Sequence, residues 1–265
     1  MQTMTSASWN DADVREGWAQ IAGKGPFVYG LTNYIAANLS ANVLLAAGAG
    51  PAIGAAADWT TTFPAGANAV WINAAALMSS DEESLRAVAR TAHAAGTPWV
   101  LDPVAVGAGA SGYDDFIRSL LEFKPAAIRG NASELIALAG GAATGKGVET
   151  TVSSADAVAA VSEFAARTGT IVAVSGPVDY ISDGSRTVEV PGGDVRLTKV
   201  TGAGCALGAL TAAAIFATGD PLRGAVVAHA AYAVAAERAG ARTRGTGEFA
   251  VALVDELSLL GEDVK

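Results

Sequence analysis

The residues with the clearest chemical potential lie in the segment KVTGAGCALGALTAAAIF, residues 199–216. It predicts a glycine-rich loop that leads directly into an apolar helix, with Cys205, the only cysteine of the chain, at the helix start. Gly202 and Gly204 have no Cβ, so a ligand can approach the backbone closely. The first N–H groups of a helix have no partner inside the helix and attract anions, phosphate above all. The same position is expected to lower the pKa of a thiol, which makes Cys205 a candidate base or nucleophile.

A carboxylate and a guanidinium occur where two other predicted strands end. Asp102 ends the strand of WVLDPVAVGAG and is a candidate magnesium ligand, because Mg²⁺ commonly takes one or two carboxylates together with phosphate oxygens. In IRGNASEL, residues 128–135, Arg129 has a planar cation suited to phosphate oxygens. Asn131 and Glu134 in the same segment form a capping-box pattern. Each feature also has a structural interpretation: turn formation for Asp102, a surface ion pair for Arg129, helix capping for Glu134, and a capping turn for the glycine loop.

The alternation of short apolar segments with helical patterns predicts βαβ units and a mostly parallel sheet. Residues 178–182 and 186–190 flank Asp183-Gly184, which predicts a β-hairpin and hence an antiparallel edge. The other predicted strands are residues 27–31, 69–73, 99–101, 126–129 and 171–175. Predicted helices include residues 81–95, 153–167, 205–217, 221–239 and 248–260.

These elements indicate an α/β fold with a mostly parallel central sheet flanked by helices, in a single domain spanning residues 1–265. Ligands of open α/β sheets bind outside the carboxyl ends of the strands. We therefore expect the residues that follow the predicted strands to converge on one crevice. They are Thr32, Asn33, Asn73, Asp102, Arg129, Asn131 and Gly176.

Two apparent nucleotide-binding motifs each lack a required residue. GGAATGK, residues 140–146, has the spacing of a phosphate-binding loop up to its lysine, but Gly147 stands where a magnesium-binding hydroxyl is needed. That segment also follows a predicted helix rather than a strand. GAGASG, residues 107–112, matches GxGxxG, but the next strand ends with Arg129 instead of the acid that binds a ribose. We therefore reject the first as a Walker motif and interpret the second as a loop.

Composition and charge restrict the classes of partner. The net charge is −9 and the chain has no basic run, so nucleic acids and anionic membranes are not expected as partners. One cysteine excludes an internal disulfide, and two histidines give no Cys/His metal cluster. His93 and His229 are interpreted as structural, because neither has a triad-like spacing from an acid, serine or cysteine. The N-terminal segment has no secretory pattern and no apolar run is long enough to span a membrane, so a cytoplasmic location is expected.

Seven segments together resemble hydroxyethylthiazole kinases, a family of the ribokinase-like superfamily. In chain order they are LTNYIAAN, GAGP, WVLDPVAVGAG, AAIRGNASEL, GKGVE, VAVSGPVDYISDG and KVTGAGCALGAL. The helical C-terminal part also fits the family. The superfamily usually has aspartate where TGAGC has its cysteine, so Cys205 favours the thiazole kinases over their relatives.

The resemblance implies transfer of the γ-phosphoryl group of ATP to the primary alcohol of 4-methyl-5-(2-hydroxyethyl)thiazole, in thiamine biosynthesis or salvage. It also implies a ribokinase-like three-layer fold, ATP and Mg²⁺ as cofactors, and a homotrimer with active sites at subunit interfaces. Position by position, it implies thiazole contact for Asn33, Ile53 and Gly202; magnesium binding for Asp102 and Glu134; ATP binding for Arg129 and Ser175; and catalysis by Cys205 with Gly202 and Gly204.

Two segments depart from the family pattern near the expected acceptor site. The family commonly has GASP and a methionine where this chain has GAGPAI, with Gly50 and Ile53. A sequence close to NIGTL is usual where residues 73–77 read NAAAL. One alternative is a ribokinase-like kinase of another small alcohol, such as hydroxymethylpyrimidine. The others are a nucleotide-dependent NAD(P)H-hydrate dehydratase, whose usual aspartate in the glycine loop is absent, and a nucleotide-sensing module without enzymatic activity.

Overall fold

One mixed sheet organises the fold. The computed structural model describes residues 3–56, 58–140 and 153–263. The strands of the described chain are β1 (Thr3–Ser6), β2 (Phe27–Leu31), β3 (Gly50–Ile53), β4 (Ala69–Asn73), β5 (Trp99–Asp102), β6 (Ala127–Asn131), β7 (Ile171–Ser175), β8 (Val178–Ser182) and β9 (Arg186–Pro191). Its α-helices are α1 (Ala12–Lys24), α2 (Tyr34–Ala46), α3 (Trp59–Gly66), α4 (Glu82–Ala95), α5 (Ser111–Ser119), α6 (Ala132–Leu138), α7 (Ser154–Thr168), α8 (Ala203–Thr218), α9 (Pro221–Arg242) and α10 (Thr246–Leu259).

Parallel pairing dominates the sheet, whose strand order is β1-β9-β8-β7-β6-β5-β4-β2-β3. Among the described strands, only β8 runs antiparallel to its neighbours, β7 and β9. The predicted hairpin at Asp183-Gly184 is therefore confirmed. Its predicted place at the edge of the sheet is wrong, because β1 pairs in parallel with β9 and becomes the outer strand.

The central strands agree closely with the sequence prediction. β2, β4, β7 and β8 have the predicted bounds, and β5, β6 and β9 end one or two residues later than predicted. The sequence pattern does not predict the two edge strands, β1 and β3. All four β1 residues are exposed, and β3 begins with Gly50 and Pro51. These edge strands therefore lack the buried apolar pattern by which a strand is identified in sequence.

The structure describes all of GAGASG, residues 107–112, but only the first residue of GGAATGK, residues 140–146. Residues 107–112 form the loop before α5 and its first residues, and the Gly107 N–H donates to Asp114 Oδ1 at 3.0 Å. The interpretation of GAGASG as a loop is therefore confirmed in outline. Except for Gly140, GGAATGK lies outside the described residues, as does the segment GKGVE.

Helices cover both faces of the sheet and give the three-layer arrangement that was expected. α1, α2, α8, α9 and α10 share one buried core with the sheet, and α3 to α7 share the core of the other face. α8 is apolar on all sides and lies in the middle of its layer, against β4 and β5 and between α2 and α9. Gly224 allows α9 to approach α8, since a Cβ there would lie 2.5 Å from the Ile215 Cα. No helix of the described residues is long and apolar enough to cross a membrane.

Candidate active site

Four polar side chains lie in a row at the carboxyl ends of β4, β5, β6 and β7. The residue two positions before each of them belongs to the core beneath α8. Side chains two apart on a strand share a face, so all four point to the face of the sheet that α8 and α9 cover. The four are Asn73, Asp102, Arg129 and Ser175. The predicted convergence of strand-end residues is thereby confirmed for Asn73, Asp102 and Arg129. Ser175 lies beside them, one position before the predicted Gly176.

Arg129 connects this row. Its Nη2 donates to Ser175 Oγ at 2.9 Å, and its Nη1 lies 3.8 Å from Asp102 Oδ2. Asp102 Oδ2 also accepts a 3.1 Å hydrogen bond from Asn73 Nδ2. Arg129 is 9% exposed and Asp102 1%, so water screens their attraction very little. The interpretation of Arg129 as part of a surface ion pair is therefore wrong.

Glu134 fixes the loop that follows β5. It forms the predicted capping box with Asn131, in which each side chain accepts a hydrogen bond from the other residue's backbone N–H. Its Oε1 accepts a further bond from the Ala105 N–H at 3.0 Å. Ala105 has φ +65°, a left-handed conformation that is costly for alanine and that its surroundings must maintain. Glu134 is buried, and its charge raises the pKa of Asp102, so the capping residue also belongs to the polar site.

The glycine loop that leads into α8 lies against Arg129 of this row. Gly202 is the N-cap of α8 with φ +84° and gives the helix start no capping side chain. A Cβ at Gly204 would lie 3.1 Å from Arg129 Nη1, so glycine permits α8 to approach the guanidinium. A Cβ at Gly202 would lie 3.1 Å from Ala36 Cα, near the start of α2. The loop thus brings an uncapped helix start next to a buried cation, which is favourable for a phosphate.

Burial dominates the titration of the site. Desolvation raises the pKa of Asp102 to about 7, against the opposing effect of Arg129. Desolvation likewise raises the pKa of Glu134. The pKa of the Cys205 thiol is raised to about 12 by burial and by the charge of Asp102. The prediction of a lowered thiol pKa is therefore wrong, because desolvation and the charge of Asp102 both raise it, against the smaller effect of Arg129.

Buried polar atoms without a partner gather at this end of the sheet. Buried polar groups are normally hydrogen-bonded, so their concentration here indicates a place for polar ligand atoms or water. Within the described chain they include Thr32 Oγ1, Trp71 Nε1, Asp102 Oδ1 and Arg129 Nε.

The carboxylate set suits Mg²⁺ better than a metal held by protein alone. Asp102 Oδ1 has no hydrogen-bond partner, and Glu134 is oriented by two backbone N–H groups. Mg²⁺ is commonly bound by one or two carboxylates, with water and phosphate oxygens completing its shell. No group of three or more His, Cys, Asp or Glu residues in the described part of the chain could hold a metal ion.

The residues expected to contact the acceptor lie toward β2 and β3. Asn33 is the N-cap of α2: its Oδ1 accepts from the Ala36 N–H at 2.8 Å, and its Nδ2 lies 3.7 Å from Met78 Sδ. Ala36 also faces Gly202, which places Asn33 and the glycine loop in one neighbourhood. Ile53 ends the edge strand β3, next to β2. Contact of these residues with a substrate stays a prediction.

Two side chains of α9 support the site: His229, whose structural interpretation is confirmed although the sequence does not predict its partner, and Tyr232, which the sequence does not single out. His229 is buried, and its Nδ1 lies 2.6 Å from Asp179 Oδ2, an acid partner 50 positions away in the chain. Tyr232 donates from its hydroxyl to the Ala203 carbonyl at 2.8 Å. His93, by contrast, is exposed at the end of α4. Contacts over such separations leave no local periodic pattern that a sequence could reveal.

Comparison with known proteins identifies relatives of this chain. The model of the hydroxyethylthiazole kinase family matches residues 18–263. The hydroxyethylthiazole kinase of Burkholderia thailandensis is 63% identical, over 97% of this chain and 98% of that protein. A solved structure of the hydroxyethylthiazole kinase protein from Pyrococcus horikoshii has a TM-score of 0.84 and 32% identity, over 95% of this chain and 94% of that chain.

A solved structure with much lower sequence identity has a similar fold. A ribokinase-like superfamily protein from Enterococcus faecalis has a TM-score of 0.66 at 10% identity, over 98% of this chain and 97% of that chain. At this identity the likeness shows the fold alone, and it confirms the ribokinase-like architecture. The family match and the 63% identical relative show that the chain belongs to the hydroxyethylthiazole kinase family.

Proposed function

We propose that this chain transfers the γ-phosphoryl group of ATP to the primary alcohol of 4-methyl-5-(2-hydroxyethyl)thiazole, within thiamine biosynthesis or salvage. Membership of the hydroxyethylthiazole kinase family supports this reaction. The structural observation that carries the proposal is the row Asp102–Arg129–Ser175 near the uncapped start of α8, in which Asp102 and Arg129 are buried. Cys205 in the glycine loop favours it over the dehydratase alternative, which would have aspartate there. Dependence on ATP favours a cytoplasmic location.

Local groups supply the positive charge that this acidic chain lacks overall. Phosphoryl transfer depends mainly on in-line positioning and on neutralising the phosphate oxygens. Arg129, held by its hydrogen bond to Ser175, binds ATP phosphate with its guanidinium. The uncapped N–H groups of Gly204 and Cys205 point out of the start of α8 and stabilise charge on the transferred group.

Asp102 and Glu134 are the residues that would hold Mg²⁺. The unpartnered Oδ1 of Asp102 supports this assignment, as do the backbone hydrogen bonds that orient Glu134. When bound, the cation neutralises phosphate charge and orients the triphosphate. Asp102, whose pKa burial raises to about 7, is expected to ionise fully when a cation binds it.

Cys205 faces the acceptor hydroxyl in the proposed complex, and Gly202 lies beside the substrate. A thiol with a pKa near 12 is protonated at neutral pH, so it does not readily accept the hydroxyl proton. In a loose transition state the attacking hydroxyl forms little bond to phosphorus, so its proton need not be removed early by a base. We therefore assign Cys205 a modest catalytic contribution, while Gly202 and Gly204 act by leaving the helix start open.

The acceptor site is assigned to Asn33, Ile53 and Gly202. Asn33 and Gly202 lie on either side of Ala36, at the junction of α2 and the glycine loop. Ile53, at the end of β3, is proposed to form the other boundary of the acceptor site. The departures from the family pattern, at Gly50 to Ile53 and after Asn73, lie on this acceptor side, so the identity of the alcohol is the part of the proposal that most needs measurement.

A homotrimer with active sites at the subunit interfaces completes the proposal. Tyr34 is 72% exposed, Ile35 48% and Met78 60%, although all three are large and apolar. They lie next to Asn33 in sequence or contact it. Exposed apolar groups of this kind, beside a small-molecule site, favour a surface that a second copy covers.

A coupled assay of ADP release with Mg²⁺-ATP, with and without hydroxyethylthiazole, tests the reaction. We expect thiazole-dependent ADP release and an equal amount of thiazole phosphate by mass spectrometry. Hydroxymethylpyrimidine serves as the matched second alcohol. Turnover on that alcohol alone would show that the changes at Gly50, Ile53 and residues 74–77 have altered the acceptor, and would overturn the proposed substrate.

Replacement of Cys205 by alanine is expected to lower kcat by less than about 10²-fold, the low end of what a general base contributes. The Kd of MgATP should stay unchanged, because the thiol is not proposed to bind the nucleotide. C205S, which keeps a small polar group, is the matched variant. A loss near 10⁴-fold in C205A would show that the thiol is a true base, and an unchanged kcat would remove it from catalysis.

Replacement of Asp102 by asparagine is expected to stabilise the protein without Mg²⁺. The folded state raises the carboxyl pKa from 3.8 to about 7, so ionisation opposes folding as the pH rises between those values. At pH 8, D102N should therefore gain about 2–4 kcal/mol in the free energy of unfolding, and almost nothing at pH 4. Urea denaturation at both pH values measures this difference.

Two controls belong to the Asp102 experiment. D115N removes a carboxylate whose side chain is 76% exposed, and it should show no such pH-dependent gain. Added Mg²⁺ should raise the Tm of the unmodified protein at pH 8 and leave that of D102N unchanged. A D102N protein that is less stable at pH 8 would show that the ionised carboxylate mainly supports the fold.

Replacement of Tyr34 by glutamate tests the trimer. Sedimentation equilibrium should give three chains of 26.4 kDa for the unmodified protein and a lower mass for Y34E. The KM for the thiazole should rise, because the partner would no longer close the acceptor side, while the Kd of MgATP should hold. M4E changes a 55% exposed residue on the opposite sheet edge and serves as control. A monomeric unmodified protein would contradict the proposal.

A further inference from the structure

Helix α9 presents two buried polar side chains toward the proposed nucleotide site. His229 and Tyr232 are three positions apart, so they share one face of the helix. They are 1% and 3% exposed. His229 contacts Asp179 in the turn after β7, and Tyr232 contacts Ala203 at the start of α8; we call these two segments the walls of the site. Neither side chain has a role in the proposed chemistry. Their placement therefore needs a separate explanation.

His229 supports the turn after β7. Its Nδ1 lies 2.6 Å from Asp179 Oδ2, while Asp179 Oδ1 accepts from the Gly176 N–H at 2.8 Å. Gly176 directly follows Ser175, the residue that holds Arg129. The imidazole thus acts through one carboxylate on the backbone of the turn that presents Ser175.

Antiparallel pairing and α7 fix the same turn. Val174 pairs with Tyr180, so Ser175 and Asp179, one step further toward the turn, lie across from one another. Ser154 of α7 donates to the Val178 carbonyl at 2.6 Å. The turn is therefore held by α7 on one face of the sheet and by His229 on the other.

Tyr232 supports the opposite wall. Its hydroxyl donates to the Ala203 carbonyl at 2.8 Å. Ala203 is the first residue of α8 and stands between Gly202 and Gly204. Arg129 lies between the two walls, bonded to Ser175 Oγ on one side and facing Gly204 on the other. His229 and Tyr232 of α9 therefore support the Ser175–Gly176 turn and the start of α8, which are the two segments that Arg129 contacts.

We propose that His229 and Tyr232 are positioning residues that set the separation between the Ser175–Gly176 turn and the start of α8, and thereby the affinity for the nucleotide phosphates. The identity of the ligand as a nucleotide rests on the proposed function. A separation that is too wide would move Arg129 and the α8 amides apart, so that they could no longer hold the same phosphates. On the proposed acceptor side, Asn33 and Ile53 lie at α2 and β3, away from the turn that His229 supports.

Calorimetric titration with MgADP, without any acceptor, tests the proposal. H229L and Y232F should each weaken MgADP binding by about tenfold, the expected effect of losing one buried hydrogen bond. H229N should restore affinity to within about threefold of the unmodified protein, because its amide nitrogen can replace Nδ1 as the donor to Asp179. The KM for the thiazole should remain unchanged in H229L and H229N, because His229 acts on the Ser175–Gly176 turn and not on the acceptor side.

Two matched variants separate positioning from general loss of stability. Y29F removes a tyrosine hydroxyl that donates to the Gly54 carbonyl at 2.8 Å, beside Ile53, and should leave MgADP binding unchanged. T170V removes a buried hydroxyl that donates to the Pro125 carbonyl at 3.1 Å, before β7 at the other end of the sheet. It should lower the Tm without changing MgADP affinity.

The MgADP titrations can refute the positioning role independently of whether the enzyme phosphorylates the thiazole. Unchanged MgADP affinity in H229L and Y232F overturns the positioning role, even if the unmodified enzyme phosphorylates the thiazole. Equal weakening in Y29F or T170V also overturns it, because the effect would then follow from stability alone. A chain that fails to phosphorylate the thiazole, yet loses MgADP affinity only in H229L and Y232F, supports the positioning role while refuting the acceptor.

Discussion

The buried guanidinium of Arg129 is the interaction on which the rest of the site depends. A cation that is 9% exposed must be compensated by its surroundings, because removal from water is costly. Asp102 is the only carboxylate that the described contacts bring within ion-pair distance, and it lies at the long distance of 3.8 Å. Burial nevertheless raises the Asp102 pKa to about 7. The protein alone therefore leaves the charges of this crevice incompletely paired, as is suitable for a phosphate and a cation that complete it.

The packing of α8 follows from the same constraint. In the proposed complex, the helix crosses the row closely enough for its amides and Arg129 to hold the same phosphates. A Cβ at Gly208 would lie 2.7 Å from Trp71 Nε1 and 3.1 Å from Asp102 Oδ2, so only glycine permits this approach one turn beyond Gly204. The alanines around it are small enough to keep the helix near the sheet. Small residues in this helix thus serve the geometry of the site as well as the core.

Much of this arrangement could be predicted from sequence, for a definite reason. Strands buried on both faces have continuous apolar runs, and the polar residues that follow them must gather at one end of a parallel sheet. Asp102 and Arg129 are found by that rule, whereas Ser175 is expected only from the family resemblance. The direction of the Cys205 pKa shift could not be predicted, because it depends on the burial of the thiol and on its distance from Asp102, and both require the three-dimensional structure.

The proposed nucleotide side and the proposed acceptor side differ in how firmly the sheet holds them. The proposed nucleotide residues lie on central strands, where neighbours on both sides fix each residue. Ile53 instead ends β3, an edge strand that pairs only with β2 in the described sheet. Substitutions at Gly50 and Ile53 therefore meet fewer packing constraints than substitutions near Arg129. The proposed phosphoryl-transfer residues therefore lie where packing on both sides limits substitution, whereas part of the proposed alcohol site lies on an edge strand where substitution is easier.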